Sequence, residues 1–245
     1  MIPIYMDGRH YDRLYPENPE TARFWLSLAR EYGDPILELA CGTGHKLLPL
    51  AAAGFDVWGI DTAEPMLKEA RRKANEQSVE LNLVAADMRS FDLERRFPLI
   101  LLTSNSICHL TTLDDFDQFA ACVRKSLMPQ GVFAVEVFVP DLHALTVPVD
   151  ELRPFAVYGD PDGGGRIELV YASRYDPSTQ IKHNTLFRVG QNGDKVLVGE
   201  LPMRMYFPQE LDALFRHHEF RIAKFGDLHR TPFTERSSMQ LFLLS

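Results

Sequence analysis

Cysteine is scarce in this sequence, and the scarcity argues against two classes of protein. The 245 residues contain only Cys41, Cys108 and Cys122, which lie far apart. An odd number of cysteines at wide spacing fits neither a disulfide framework nor a cysteine-rich metal cluster. We therefore expect a reducing setting, the cytoplasm.

Basic clusters and long apolar runs are also missing. The chain has 26 Lys and Arg against 34 Asp and Glu, a net charge of −8, whereas nucleic-acid binders concentrate basic side chains against phosphates. An acidic surface also disfavours anionic membranes. No stretch reaches the roughly 18 apolar residues of a membrane span, and the first residues lack the pattern of a signal peptide. We expect neither nucleic acid nor a membrane among the partners.

Metal-binding motifs are absent as well. The sequence contains no His-Glu-x-x-His and no Cys-x-x-Cys motif. The adjacent His217 and His218 lie on a predicted helix, where neighbouring side chains point about 100° apart and cannot share one ion. We therefore predict no metal site.

The first 140 residues alternate between short apolar strands and amphipathic helices. Asn18 and Pro19 predict the start of a helix that Gly33 ends, and Thr62 and Thr111 or Thr112 predict the caps of two later helices. The strands are predicted at residues 35–40, 56–60, 81–85, 99–103 and 132–139, with a turn at 129–131. Such alternation predicts a parallel sheet with helices on both faces, a doubly wound α/β fold.

The pattern changes after Pro140. Three extended stretches are separated by turn-forming segments, 160–165, 176–178 and 191–194, and they predict an antiparallel β meander. These stretches are residues 166–175, 181–189 and 196–206. A helix from Pro208 and two closing strands then complete a seven-stranded main sheet. We expect residues 1–140 and 207–245 to form a cofactor-binding domain and residues 141–206 to form an insertion that shapes the substrate pocket.

A glycine-containing segment between the first strand and the next helix carries the strongest functional signal. Gly42 and Gly44 allow the backbone to approach a ligand closely and direct helix N–H groups toward it. Asp61, at the end of the second strand, can bind both hydroxyls of a ribose. A dinucleotide-binding loop would have a third glycine where Leu47 stands. Glu38, just before the loop, suits a cationic ligand better than a pyrophosphate.

Six segments together resemble class I S-adenosylmethionine-dependent methyltransferases of the small-molecule type. The resemblance covers residues 11–138 and implies a Rossmann-like fold, S-adenosylmethionine as cofactor and an activity of methyl transfer. An N-terminal Tyr-Asp pair and the β insertion are similar to those of glycine N-methyltransferase and amino-sugar N-methyltransferases. The six segments are LELACGTG (37–44), GFDVWGID (54–61), EPMLKEAR (64–71), AADMR (85–89), SNSICHL (104–110) and LMPQGVF (127–133).

The same resemblance implies a role for each residue of the cofactor site. Residues at the end of the first strand border the methionine half and the sulfonium, the next acidic residue holds the ribose, a third pair binds adenine, and the segment after the fourth strand flanks the transferred methyl group. In that order, the residues are Glu38, Ala40, Gly42 and Gly44, then Asp61 and Thr62, then Asp87 and Met88, then Ser104 and Asn105.

Two catalytic residues are predicted. His109 follows the fourth strand, where the acceptor should lie, and a histidine titrates near neutrality, so it is the first candidate for a general base. Tyr11 is the second candidate, because tyrosines near the N-terminus close over the cofactor in the enzymes that this chain resembles. In the insertion, one face of each strand can reach the acceptor, and the sequence leaves open which of Tyr171, Arg174, Tyr175 and His183 do so.

Three functions follow from these patterns. The leading one is methyl transfer to a nitrogen or oxygen of a small molecule, with a protein acceptor as a variant. The alternatives are a cyclase or a binding protein that holds S-adenosylmethionine without transferring its methyl group, and an NAD-dependent oxidoreductase. Exposed strands of the insertion can pair between two copies, so a homodimer is a further expectation.

Overall fold

The computed structural model describes residues 3–16, 18–146, 148–149, 151–190 and 192–245. The predicted turn at 191–194 includes Gln191, which lies outside the described residues. The helices are α1 (Gly8–Leu14), α2 (Pro19–Tyr32), α3 (Leu47–Ala52), α4 (Glu64–Gln77), α5 (Leu113–Ser126), α6 (Leu142–Leu145) and α7 (Pro208–His217), with 3-10 turns at Pro3–Tyr5 and Ser106–His109.

The strands form two sheets. The main sheet contains β1 (Ile36–Leu39), β2 (Val57–Asp61), β3 (Asn82–Ala85), β4 (Phe97–Leu102), β5 (Leu127–Phe138), β10 (Ile222–Phe225) and β11 (Met239–Leu244). The second sheet contains β6 (Arg153–Gly159), β7 (Arg166–Asp176), β8 (Ile181–Val189) and β9 (Lys195–Arg204).

The seven-stranded sheet has the order β10-β11-β5-β4-β1-β2-β3. Strands β1 to β5 run parallel, and β11 runs antiparallel to both of its neighbours. Aromatic side chains of α5 and α7 pack on one face, while α2, α3 and α4 cover the other. This confirms the predicted doubly wound α/β fold with an antiparallel meander, the four-stranded sheet β6-β7-β8-β9.

Local sequence explains the helix ends of the main domain. Asn18 caps α2, with its side chain accepting from Glu20 N at 2.9 Å, and Gly33 follows the last turn. Thr112 caps α5 in a reciprocal capping box with Asp115. Of the two residues predicted as the cap of this helix, Thr111 and Thr112, the second is therefore confirmed. These side chains satisfy N–H groups that have no partner inside the helix.

Two local predictions were wrong. Thr62 does not cap α4: the N-cap is Ala63, and the side chain of Asp61 accepts from Ala63 N at 2.8 Å. Residues 129–131 do not form a turn that separates a helix from a strand. They lie within β5, where the six residues from Leu127 to Val132 are matched by three on β4, Phe97 to Leu99, so a bulge accommodates Pro129 and Gly131.

Three of the helices and strands were not predicted, namely α1, α6 and β6. Helix α1 has only seven residues, capped by Asp7, and is too short for a helical periodicity to stand out. Strand β6 contains Pro154, which usually excludes a central strand, but β6 is an edge strand that pairs only with β7. Among the described residues, no helix combines the length and apolar character required to cross a membrane.

Candidate active site

A cavity of about 390 Å³ lies at the carboxyl ends of β1 to β4. The order of the parallel strands reverses between β1 and β4, and the loops that diverge at such a point leave a crevice for ligands. Nine of the twelve predicted site residues line the cavity: Tyr11, Ala40, Gly42, Asp61, Thr62, Asp87, Met88, Ser104 and His109. The other three, Glu38, Gly44 and Asn105, lie on the same strands and loops without lining it.

The loop after β1 bends sharply into the cavity. Gly42 and Gly44 both have positive φ angles, +54° and +80°, which favour glycine. Gly42 N donates to Asp61 Oδ2 at 2.8 Å, which ties the loop to the end of β2. A Cβ on Gly44 would contact Ala70 Cβ of α4 at 3.4 Å, so Gly44 lets the loop and α4 approach closely rather than contacting a ligand directly.

Asp61 is the carboxylate at the end of β2 that faces the cavity. Its two oxygens accept from the backbone N–H groups of Gly42 and Ala63, each at 2.8 Å. Burial raises the pKa of this carboxyl group, although the backbone hydrogen bonds act in the opposite direction. Each carboxylate oxygen has a second lone pair, so Asp61 can accept from two hydroxyls of a ribose in the cavity.

Glu38 lies beneath the loop and is almost fully buried, with 3% of its surface exposed. Thr103 Oγ1 donates to its Oε1 at 3.0 Å, while Oε2 has no partner among the described residues. Burial raises the pKa of Glu38 to about 8, and the nearby Lys46 lowers it less strongly. A buried acceptor without a partner suits a ligand that brings a cation.

The opposite end of the cavity is formed after β3. Met88 supplies an apolar surface and Asp87 a carboxylate, which the guanidinium of Arg89 contacts at 2.6 Å. Arg89 also donates to Asp115 of α5 at 2.6 Å. The hydrogen bonds from Arg89 hold the pKa of Asp87 below its usual range. Arg89 was not predicted as a site residue, although it stands two residues after Asp87 in the sequence.

Two tyrosines and His109 form the third wall. Tyr5 Oη lies 2.9 Å from His109 Nε2, and the ring centroids of Tyr5 and Tyr11 are 5.8 Å apart. Burial lowers the pKa of His109, so the imidazole is neutral near pH 7. Burial also raises the pKa of both tyrosines, which keeps their hydroxyls protonated. Tyr5 was missed, and its signal was the recurrence of tyrosine at positions 5, 11 and 15.

Ser104 and Asn105 both adopt the left-handed backbone conformation, with φ angles of 54° and 64°. Ser104 lines the cavity. The side chain of Asn105 instead turns toward β5, where its Oδ1 accepts from Phe138 N at 2.8 Å. Asn105 therefore holds the loop after β4 against β5, and the neighbouring Ser106 takes a place in the cavity wall.

The register of the insertion decides which of its polar residues face inward. Arg174 pairs with His183 and Tyr175 with Lys182 across β7 and β8, so these two pairs lie on opposite faces of the sheet. Tyr171 shares a face with Tyr175 and lines a second cavity between this sheet and β5. Of the four residues that the sequence left open, Tyr171 is the one that lines either of the two cavities.

One group of side chains has metal-ligand spacing among the described residues. Single ligand atoms of Asp7, His10 and Asp162 lie within 4.8 Å of one another. The group is partly exposed and stands outside the residues that line the cavity. His10 Nδ1 lies 3.3 Å from Tyr158 Oη and Arg9 pairs with Asp162 at 2.8 Å, so these contacts join α1 to the insertion.

The cavity fits S-adenosylmethionine on chemical grounds. Asp61 offers oxygens for a ribose, and Met88 beside Asp87 offers an apolar surface with an acceptor for an adenine. Glu38, on β1 and outside the cavity lining, has a buried oxygen without a partner among the described residues. The cavity volume of about 390 Å³ lies in the usual range for cofactor sites, roughly 300–1,000 Å³.

Comparison with known proteins agrees with this chemistry. A family model described as "Methyltransferase domain" matches residues 36–131, the segment from β1 into β5 that supplies most of the cavity wall. The match covers about two fifths of the chain, and these residues are therefore similar to a methyltransferase domain. Tyr5 and Tyr11 lie before this segment, and the insertion lies after it.

Curated relatives match this chain over part of their length. The dTDP-3-amino-3,6-dideoxy-alpha-D-glucopyranose N,N-dimethyltransferase of Streptomyces fradiae is 37% identical over 101 residues, 41% of this chain and 38% of that protein. The glycine/sarcosine N-methyltransferase of Aphanothece halophytica is 32% identical over 140 residues, 54% of this chain and 53% of that protein. The chain spans between 38% and 61% of the lengths of such relatives.

Solved structures match nearly the whole chain, including the insertion. The CcbJ methyltransferase from Streptomyces caelestis superposes with a TM-score of 0.81 at 23% identity, over 98% of this chain and 96% of that one. DesVI from Streptomyces venezuelae gives a TM-score of 0.68 at 22% identity, over 97% and 93%. At these identities the likeness shows a shared fold.

Proposed function

We propose that this protein transfers a methyl group from S-adenosylmethionine to a nitrogen of a small-molecule acceptor. The proposal rests on one cavity that brings two kinds of group together. Its wall contains the carboxylate of Asp61, suited to a ribose, and the pair Asp87 and Met88, suited to an adenine. The same wall contains His109, which is buried and neutral. A cofactor site and a proton acceptor thus share one enclosed space, which is what a methyltransferase requires.

The proposed cofactor contacts follow the walls of the cavity. Glu38 pairs with the cationic amino-acid end, and the backbone at Ala40 and Gly42 lies along the methionine half. Asp61 and Thr62 bind the ribose. Asp87 and Met88 bind adenine, and Ser104 flanks the methyl group. We assign Gly44 and Asn105 to loop geometry rather than to direct contact, because Gly44 packs against α4 and the side chain of Asn105 accepts from Phe138 N.

Bound S-adenosylmethionine supplies a methyl group that is already activated by its sulfonium, so the protein has to align the acceptor and exclude water. Tyr5 and Tyr11 cover the cavity from the N-terminal side. The neutral His109 takes the proton that a methylated amine must lose. The hydrogen bond between Tyr5 Oη and His109 Nε2 orients the imidazole ring for that role.

The relatives named above favour nitrogen over oxygen as the atom that accepts the methyl group. The curated relatives with assigned acceptors include N,N-dimethyltransferases of amino sugars and glycine/sarcosine N-methyltransferases. A nitrogen acceptor also requires less of the protein, since a neutral amine attacks without prior deprotonation, whereas a hydroxyl usually needs a base.

The remaining sequence predictions stay proposals. We propose that residues 141–206 act as a unit that shapes the acceptor site, and that two copies pair through insertion strands. We also propose a cytoplasmic setting without nucleic-acid partners, in keeping with three free cysteines and a net charge of −8. Light scattering of the purified protein distinguishes a dimer from a monomer.

The first test is calorimetric titration with S-adenosylmethionine, S-adenosylhomocysteine and NAD. We expect the first two to bind in the micromolar range. Asp61→Asn should weaken both by about 10- to 100-fold, because a hydrogen bond to a charged group contributes about 1.5–3 kcal/mol. Asp56→Asn is the matched control, since Asp56 precedes the same strand at its opposite end, where it pairs with Arg95.

Each outcome discriminates among the functions. Binding of NAD alone would support an oxidoreductase and overturn the proposal. Binding of S-adenosylmethionine without formation of S-adenosylhomocysteine, across a panel of small amines and alcohols, would support a binding protein or a cyclase. Turnover with alcohols but not with amines would retain methyl transfer and reject nitrogen as the acceptor atom.

A further inference from the structure

A second cavity of about 520 Å³ lies between the carboxyl end of β5 and the inner face of the insertion sheet. Phe138 of β5 forms its floor, Tyr15 lies at the end of α1, and Tyr171, Lys182 and Asn184 project from β7 and β8. The sequence patterns gave no indication of this cavity, because its walls come from four separate parts of the chain.

The second cavity adjoins the first. Tyr11 lines the first cavity and Tyr15 the second, and their ring centroids are 5.0 Å apart on consecutive turns of chain. On β9, Pro202 lines the first cavity while its neighbours Leu201 and Met203 line the second. The two cavities therefore lie close to each other, and the contacting rings of Tyr11 and Tyr15 stand between them.

Lys182 gives the second cavity a charge preference. Its ammonium group is half-buried, and no carboxylate of the described residues forms an ion pair with it. The nearest acid, Asp141, already accepts from His143 N as the cap of α6, and the neighbouring cation Arg153 pairs with Glu151. Burial, with a smaller contribution from Arg153, lowers the pKa of Lys182. An anion in the cavity would relieve both effects.

Aromatic rings stand beside this cation. The Lys182 Nζ lies 5.7 Å from the centroid of the Tyr171 ring. Phe155 and Tyr171 pack edge to face with centroids 5.8 Å apart, which creates an apolar wall suited to a ring. Asn184 is 9% exposed and donates to Leu201 O at 3.3 Å, so its amide oxygen is available to a polar group of a ligand.

We propose that the second cavity binds the body of the methyl acceptor, and that this acceptor is a small molecule with an apolar ring and an anionic oxyacid group, carboxylate or phosphate, that pairs with Lys182. The proposal rests on the methyl-transfer function proposed above. With its anion held by Lys182 and its ring against Tyr171, such a molecule directs its other end toward Tyr15, whose ring contacts that of Tyr11 in the wall of the first cavity.

Three probes test the charge preference without knowledge of the acceptor. They are 3-phenylpropanoate, 2-phenylethyl phosphate and the neutral 3-phenylpropanamide, titrated by ligand-observed NMR in the presence of S-adenosylhomocysteine. We expect one of the anions to bind about tenfold more tightly than the amide. The tighter anion identifies carboxylate or phosphate as the group that Lys182 recognises.

Lys182→Met keeps the length of the side chain and removes its charge, so it should abolish the tenfold preference. Lys195→Met on the exposed end of β9 is the matched control and should retain it. Equal binding of all three probes, binding of none, or an unchanged preference in Lys182→Met would overturn the proposal.

Titration of the same samples with S-adenosylhomocysteine keeps the two proposals distinguishable. Cofactor binding without any anion preference rejects the acceptor class and leaves methyl transfer standing. An anion preference that depends on Lys182, in a protein that does not bind S-adenosylhomocysteine, rejects methyl transfer instead. Unchanged cofactor binding in Lys182→Met also shows that the variant is folded.

Discussion

The carboxyl group of Glu38 is buried beneath the loop after β1, in a place where a charge is poorly tolerated. Besides burial, the charges of Asp61 and Glu136 raise its pKa, while Lys46 and the hydroxyl of Thr103 lower it, and the balance is a pKa of about 8. Glu38 is therefore mainly protonated at pH 7. A cation bound beside it would favour the carboxylate and lower that pKa.

This arrangement predicts that cofactor binding releases a proton. The pKa of Glu38 is about 8 in the free protein and lower in the complex. At pH values between these two, the complex holds fewer protons than the free protein, so the affinity for the cofactor rises with pH. We expect the affinity for S-adenosylmethionine to increase from pH 6 to 8 and then level off. Calorimetry in buffers of different ionisation enthalpy measures the released proton directly.

Glu38→Gln should remove this proton release, because the amide does not titrate. Glu64→Gln, an exposed residue at the start of α4, should leave it intact. An identical pH profile for the wild type and Glu38→Gln would mean that Glu38 does not face the cationic end of the cofactor.

At the scale of elements, helix α1 is fastened to the cofactor loop by one side chain. Asp12 accepts hydrogen bonds from Thr43 and from His45 Nε2 at 2.7 Å in the loop, and from Lys73 Nζ at 2.7 Å on α4. Burial raises the pKa of Asp12, but these three hydrogen bonds outweigh it and hold the pKa below the usual range. The helix that carries Tyr11 is thus anchored by an ionised carboxylate.

Asp12→Asn should loosen α1 and speed cofactor dissociation. The amide keeps the shape but loses the charge that strengthens these contacts, and loss of about 1–2 kcal/mol corresponds to roughly tenfold faster release. Stopped-flow displacement of S-adenosylhomocysteine measures the rate. Arg13→Gln, on the exposed side of the same helix, is the control, and equal rates for Asp12→Asn and the wild type would contradict the anchoring role.

The elements that carry the cofactor site could be predicted from the sequence because each depends on local patterns. The apolar strands β1, β2 and β4, the glycines after β1 and the caps of α2 and α5 are encoded within a few residues. The wall formed by Tyr5, the anchor at Asp12 and the second cavity depend on contacts between distant segments. A single sequence has no periodicity that reports such contacts, and so they were missed.

At the scale of the whole molecule, an aromatic cluster joins α5 and α7 to the main sheet. The ring of Phe215 on α7 lies 5.6 Å from Phe116, 5.1 Å from Phe242 and 6.0 Å from Phe220, measured between centroids, and it is fully buried. Since α7 follows the insertion in sequence, this cluster returns the chain to the main sheet.

Phe215→Ala should lower the free energy of unfolding by about 3–5 kcal/mol, the range for deleting a buried phenylalanine ring. Urea titration followed by the fluorescence of the buried Trp25 measures the change. Leu197→Ala, at a residue that is 60% exposed, should change it by less than about 0.5 kcal/mol. A small effect of Phe215→Ala would mean that α7 contributes little to the stability of the core.

The order of strands in the main sheet also has a consequence for synthesis on the ribosome. Strand β5 ends at Phe138, but β11, which pairs with its outer edge, begins at Met239, 101 residues later. At about 5–20 residues per second, that edge stays open in the nascent chain for roughly 5–20 s. Throughout this interval Phe133, Val135 and Val137 flank unpaired backbone groups that can capture another chain. Slower translation of residues 139–238 lengthens this exposure. Strands β1 to β4, which carry the cofactor site, precede this segment and have already been synthesised.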